Sequence, residues 1–79
     1  MPQKKKMYTV SKIKRNLSGE LIYSFKVIGL FNSKKEANDY IINETKKFDR
    51  PLFAAYHGRM VPHGDYNLYF QWDEAPVLK

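Results

Sequence analysis

No cysteine occurs among the 79 residues. That absence excludes thiol catalysis, cysteine-ligated zinc, iron–sulfur clusters and disulfide staples, and it fits a reducing compartment, so a cytoplasmic address is expected. Long apolar runs are missing as well. Residues 21–31 form the longest mainly apolar stretch, and Ser24, Lys26 and Gly29 interrupt it well short of the ~20 residues that span a bilayer. Lys4, Lys5 and Lys6 resemble the basic start of a secretory signal, but Thr9, Ser11, Lys12 and Lys14 break the apolar segment that would have to follow. No membrane partner is expected. Glycine-rich phosphate loops, nucleophile–base motifs and paired-carboxylate spacings are also missing, so the chain reads as a non-enzyme with no catalytic residues and no cofactor.

Arginine is scarce too, three residues against eleven lysines. Lysine carries a point charge rather than the planar fork that reads guanine, so any contact with nucleic acid should have low sequence specificity. What the chain does have is positive charge concentrated at one end. Residues 1–50 hold twelve Lys or Arg against five Asp or Glu, a net of +7, whereas residues 51–79 hold two against three, a net of −1. A basic field of this kind attracts nucleic acid through counterion release, or an acidic protein surface through the same Coulomb attraction.

Seventy-nine residues make one domain, close to the size at which a single core supplies only about 3–5 kcal/mol. Twelve aromatic residues are available to fill it. Residues 1–6 are expected to form a flexible basic arm, residues 7–75 the globular domain and residues 76–79 a frayed tail. Tyr8, Thr9, Val10 and Ile13, interleaved with Lys12 and Lys14, suit an edge strand protected by charge. Asn16, Leu17, Ser18 and Gly19 supply turn chemistry. The next run alternates, with Leu21, Tyr23, Phe25, Val27 and Phe31 on a core face and Glu20, Ser24 and Lys26 opposite. Gly29 marks a bend.

Ser33 followed by Glu36 forms a capping box that starts a helix at Lys34. Ala37, Tyr40, Ile41 and Phe48 make its apolar stripe, and the segment Asp49, Arg50, Pro51 ends it. Ile42 falls off the stripe as a secondary contact or a site for a partner. Residues 52–56 read as a short strand. Tyr66, Leu68, Phe70 and Trp72 form one face of another strand, with Tyr69 pointing the other way. Residues 57–65 between them read as turns, because Gly58, Pro62 and Gly64 punctuate the segment. The expected fold is therefore α+β, a four-stranded mainly antiparallel sheet in ββαββ order with one helix packed on one face.

Candidate anion or nucleic-acid contacts are Lys4, Lys5, Lys6, Lys12, Lys14 and Arg15, with Ser33, Lys34 and Lys35 at the helix start as a second anion site. Ile42, Arg59 and Tyr69 are candidate partner contacts, Arg59 as an exposed anchor on a turn. His57, His63 and Asp65 are the only grouping with any likeness to metal ligands, and no metal site is assigned to them because the spacing is unspecific. The segment Phe31, Asn32, Ser33, Lys34, Lys35, Glu36, Ala37 resembles the strand-to-helix transition of small domains such as hybrid-binding and integrase arm domains. What it encodes is a helix cap. The leading reading is a small basic binding module for nucleic acid. The alternative is a phage or mobile-element accessory protein acting as a protein-interaction or inhibitor module, and behind it stands a nucleotide-sequestering protein built on His57, Arg59 and His63. A homodimer through the uncovered sheet face is a further expectation.

Overall fold

A computed structural model describes residues 6–76. Their elements run in the order β1 (Lys6–Asn16), β2 (Ile22–Phe31), α1 (Lys34–Thr45), β3 (Phe53–Ala55), β4 (Gly58–Pro62) and β5 (Tyr66–Pro76). The five strands form one antiparallel sheet in the spatial order β2-β1-β5-β4-β3, with the helix against one face. The α+β class and the single covering helix agree with the sequence reading. The strand number and the ββαββ order do not, because residues 57–65 contain β4.

That strand is short and bounded by turn formers, which hides it in the sequence. Ala55 pairs with Gly58, so the turn between β3 and β4 is only Tyr56 and His57, and His57 takes a left-handed backbone with φ of 54°. Gly58 is required by a close approach: a Cβ there would collide with the Phe70 carbonyl oxygen of β5. Arg59 accordingly sits inside a strand, half-buried and opposite Phe70, rather than on a turn.

β1 is not an edge strand. It lies between β2 and β5, and its pairing with β5 runs without interruption from Lys6 opposite Pro76 to Asn16 opposite Tyr66. Lys12 and Lys14 therefore project from a sheet face instead of guarding an edge. β2 and β3 form the outer edges. The strands also extend further than expected, since β1 begins at Lys6 and β5 reaches Pro76.

Residues paired across a ladder share a face. The register therefore puts Tyr8, Val10, Lys12 and Lys14 of β1 on the helix side with Trp72, Phe70 and Leu68 of β5. Val10 pairs with Gly29 and Ser11 with Val27, so β2 carries one extra residue at Ile28. This bulge reverses the parity of the strand. Phe31 and Ile28 pack on the core, but Phe25 and Val27 point to the opposite face and, like Leu21 and Tyr23, stand more than half exposed. The expectation that Leu21, Tyr23, Phe25 and Val27 share the core with Phe31 is corrected accordingly.

The helix begins as its capping box dictates. Ser33 Oγ accepts from the Glu36 N–H at 3.1 Å, and Glu36 Oε1 accepts from the Asn32 N–H at 3.2 Å, one residue earlier than the standard reciprocal bond. Ala37, Ile41 and Thr45 face the sheet fully buried. The Thr45 hydroxyl is satisfied by the Ile41 carbonyl at 2.7 Å, so its burial leaves no orphan donor. Gly29 leaves room for the Phe31 ring to fold back onto Tyr40, with centroids 5.0 Å apart.

Gly58→Ala should destabilise the domain by about 1–3 kcal/mol, the usual cost of forcing an atom into a filled site. Urea unfolding monitored through Trp72 checks this. An unchanged midpoint would show that β4 and β5 do not approach this closely.

Candidate functional site

β1 places Lys12 and Lys14 two residues apart on the helix side of the sheet, and β2 sets Lys26 directly opposite Lys12. Opposed like charges are unfavourable in a ladder. None of the three takes part in an ion pair: those among the described residues join Lys6 to Glu74, Lys35 to Asp39 and Lys47 to Glu44. The helix ends at Thr45, three residues before its apolar stripe does, and Phe48 continues the packing onto Phe70 with centroids 5.8 Å apart.

Beside the lysines the chain builds an aromatic column. Lys14 Nζ lies 4.2 Å from the centroid of the Tyr66 ring, Tyr66 stacks on His63 at 5.0 Å, and Phe48 meets His63 edge-on at 5.6 Å. The turn that carries His63 is closed by its N–H donating to the Tyr66 carbonyl at 2.9 Å and by Gly64 at φ 87°. Arg50 reaches the same turn, donating to the Pro62 carbonyl at 3.3 Å. Between α1 and the sheet lies a cavity of about 180 Å³ with Lys12, Glu44 and Lys47 at its polar side and Ile28, Phe48 and Phe70 among its apolar walls. That volume is below the ~300 Å³ at which small-molecule pockets usually start.

Protonation of His63 is disfavoured in the folded protein. Burial pushes its pKa below the usual 6.5, and the charges of Arg50, Lys12 and Lys14 push in the same direction. The buried Nε2 has no hydrogen-bond partner, which suits a neutral ring.

The other candidate residues lie elsewhere. Lys4 and Lys5 fall outside the described residues. Lys6 pairs with Glu74 at 3.4 Å. Arg15, one residue along from Lys14, points to the opposite sheet face, where its guanidinium carbon is 5.2 Å from the Tyr69 centroid and Nη1 donates to the Gly19 carbonyl at 3.3 Å. Ser33, Lys34 and Lys35 occupy the far end of the helix. Ser33 is engaged as the cap, Lys35 binds Asp39 at 3.1 Å, and Lys34 Nζ stands 5.7 Å above Trp72. Ile42 is half-buried on the helix. His57 and His63 flank β4 at its two ends, so they and Asp65 do not converge, and no group of three potential metal-ligating side chains occurs among the described residues. His57 instead stacks between Tyr56 and Trp72, each at 3.8 Å, and donates from Nδ1 to the Trp72 carbonyl.

Lys26 and Arg50 join the site although neither is among the contacts expected from the sequence. Lys26 was not legible, because the turn at residues 16–19 alone does not set residue 26 opposite residue 12, a register that also depends on the bulge at Tyr23. Arg50 arrives through the long connection after the helix, which no local pattern specifies. No protein-family model matches the chain, and no curated protein or solved structure does either. No helix among the described residues is long and apolar enough to cross a membrane.

The depressed His63 pKa has a definite sign. Below about pH 6.5 the unfolded chain takes up a proton that the folded chain resists, so stability falls as the pH drops through that value and is unaffected above it. Thermal melts from pH 7.5 to 5.5 should show this loss, and His63→Gln should reduce it. Added salt should move the His63 titration upward by screening Arg50, Lys12 and Lys14. A His63 titrating above 6.5 would contradict the electrostatic picture of the site.

Proposed function

We propose that the chain is a small non-catalytic binding module whose helix-side sheet face contacts the phosphate backbone of nucleic acid with little sequence preference. The observation that carries this reading is the lysine group Lys12, Lys14 and Lys26, held on one face of a ladder, with Lys12 opposite Lys26 and none of the three in an ion pair among the described residues. A phosphate between Lys12 and Lys26 would relieve their repulsion. Arg50 extends the same positive surface past the end of the helix, whereas Lys47 is engaged by Glu44 at 3.1 Å.

Base stacking plays little part in this reading. Tyr66 already holds Lys14 over its ring and stacks on His63, and Tyr69 is met by Arg15. With both tyrosines engaged and the cations mainly lysine, charge neutralisation is the main source of affinity, and such binding is insensitive to sequence.

Replacing Lys12, Lys14 and Lys26 together with Gln should weaken binding about equally for unrelated sequences. It should also flatten the slope of log affinity against log salt by about 0.9 for each duplex phosphate that is no longer neutralised. The variant should stay folded, with a melting temperature close to that of the wild type, because the loss of the Lys14 contact with Tyr66 is offset by removal of the opposed Lys12 and Lys26 charges. Lys34→Gln with Lys35→Gln, at the other end of the helix, should change affinity far less. Titrations with single- and double-stranded DNA and RNA near physiological salt provide the measurement. Absence of binding to all four at tens of micromolar, within the ~10⁻⁴–10⁻⁶ M range of nonspecific binding, would overturn the nucleic-acid reading and leave an acidic protein surface as the partner of this face.

A further inference from the structure

The sheet face turned away from the helix is built differently from the lysine face. In-register pairing aligns Phe25, Ile13, Tyr69, Met60 and Phe53 as one apolar row crossing all five strands, from the β2 edge to the β3 edge. Phe25 is 59% exposed and Phe53 50%, while Ile13 between its neighbours is 2% exposed. Val27 and Leu30 of β2, on the same face by their pairing with Ser11 and Thr9, are 52% and 60% exposed. The strand lysines Lys6, Lys12, Lys14 and Lys26 all have the opposite parity. β1 and β5 place only two charged residues on this face, Arg15 toward one end of the sheet and Asp73 toward the other.

We propose that this face packs against the same face of a second copy, forming a two-sheet sandwich related by a two-fold axis that runs across the strands. Three observations select this occupant. The first is charge. Each chain carries +6, and face-to-face packing turns both lysine surfaces outward, separated by two sheets about 10 Å apart, which exceeds the ~8 Å screening length of physiological salt. The second is self-complementarity. The stated axis reverses strand direction, so the Arg15 end of one copy meets the Asp73 end of the other, and the apolar β2 side chains meet their own equivalents. The third is size. At ~3.3 Å per residue and ~4.8 Å between strands the face projects roughly 600 Å², comparable with the ~800 Å² of accessible surface that each partner buries in a standard interface.

Pairing through the β2 edge is the competing way to join two copies. It is disfavoured because bulges interrupt β2 near both ends, at Ile28 and between Ile22 and Ser24, and because it would bring Lys26 of the two copies together. The proposal does not depend on nucleic-acid binding, since it uses the opposite face.

Sedimentation of the full chain from about 1 to 300 µM near physiological salt should show a concentration-dependent dimer, with association in the micromolar range accessible to that series. Phe25→Glu and Phe53→Glu should each weaken association at least about tenfold, while their melting temperatures at low concentration stay near that of the wild type because both side chains are half exposed. Arg15→Asp should weaken the dimer, and adding Asp73→Arg should restore it. A wild-type chain that is monomeric throughout the series overturns the proposal. So does a dimer that Phe53→Glu leaves intact, which would point to edge pairing through β2 on the far side of the sheet. The charge-swap pair decides the matter if either Phe variant does not fold.

Discussion

The pairing of β1 with β5 is the constraint on which the remaining structure depends. It joins the first and last described strands over eleven residues each, in unbroken register, and every other strand attaches directly or through one neighbour to these two. Its loop is closed over nearly the whole chain, the most costly closure entropically, and the hydrophobic residues Val10, Leu68 and Phe70 are what offset that cost by burial against Ile41 and Val61. Because side chains alternate at period two, this one register also decides where each functional group points. Shifting it by a single residue would bring Arg15 and Ser11 to the helix side and remove Lys12 and Lys14 from it.

The sheet is consequently two-sided in chemistry as well as in geometry. The helix-side face has an apolar half beneath α1 and a cationic half around Lys12, Lys14 and Lys26, while the far face carries the apolar row and almost no charge. The bulge at Ile28 is what allows one strand to serve both faces. It lets Ile28 and Phe31 pack on the core while Phe25 and Val27 face outward, although a regular strand would have put Phe31, Phe25 and Val27 on the same side. A small domain thus separates a surface suited to anions from one suited to an apolar partner without a second layer of structure.

Much of this was readable from local chemistry. The capping box located the start of the helix to the residue, the alternation of Tyr66, Leu68, Phe70 and Trp72 gave the face of β5, and Asn16 through Gly19 gave the first turn. Features that depend on the approach of distant segments were not readable. Lys12 and Lys14 look like edge protection in the sequence, and only pairing with β5 moves β1 to the middle of the sheet. β4 is concealed because five residues bounded by Gly58 and Pro62 carry too little periodicity to separate from a turn. The β2 parity failed for a related reason: a bulge is a property of two strands in register, and one strand alone does not encode it. Of the candidate site, the lysines of β1 were visible and the grouping was not, since Arg15 belongs to the other face and Arg50 is supplied by the segment after the helix.

The lysines of the chain differ in how the fold engages them. Lys34 and Lys35 are as cationic as Lys12 and Lys26, but each has a local use, one against the Trp72 ring and the other in an ion pair with Asp39. An anion arriving there must displace an interaction worth a few tenths of a kcal/mol before it gains one. At Lys12 and Lys26 no such contact stands in the way, because the ladder sets the two residues opposite each other and neither takes part in an ion pair among the described residues. Burial and the charges of Arg50, Lys12 and Lys14 hold the pKa of the neighbouring His63 below its usual value, so the positive charge of this surface rests on lysine and arginine rather than on imidazole. Lysines that a local contact engages therefore differ physically from Lys12 and Lys26, which the sheet register sets opposite each other.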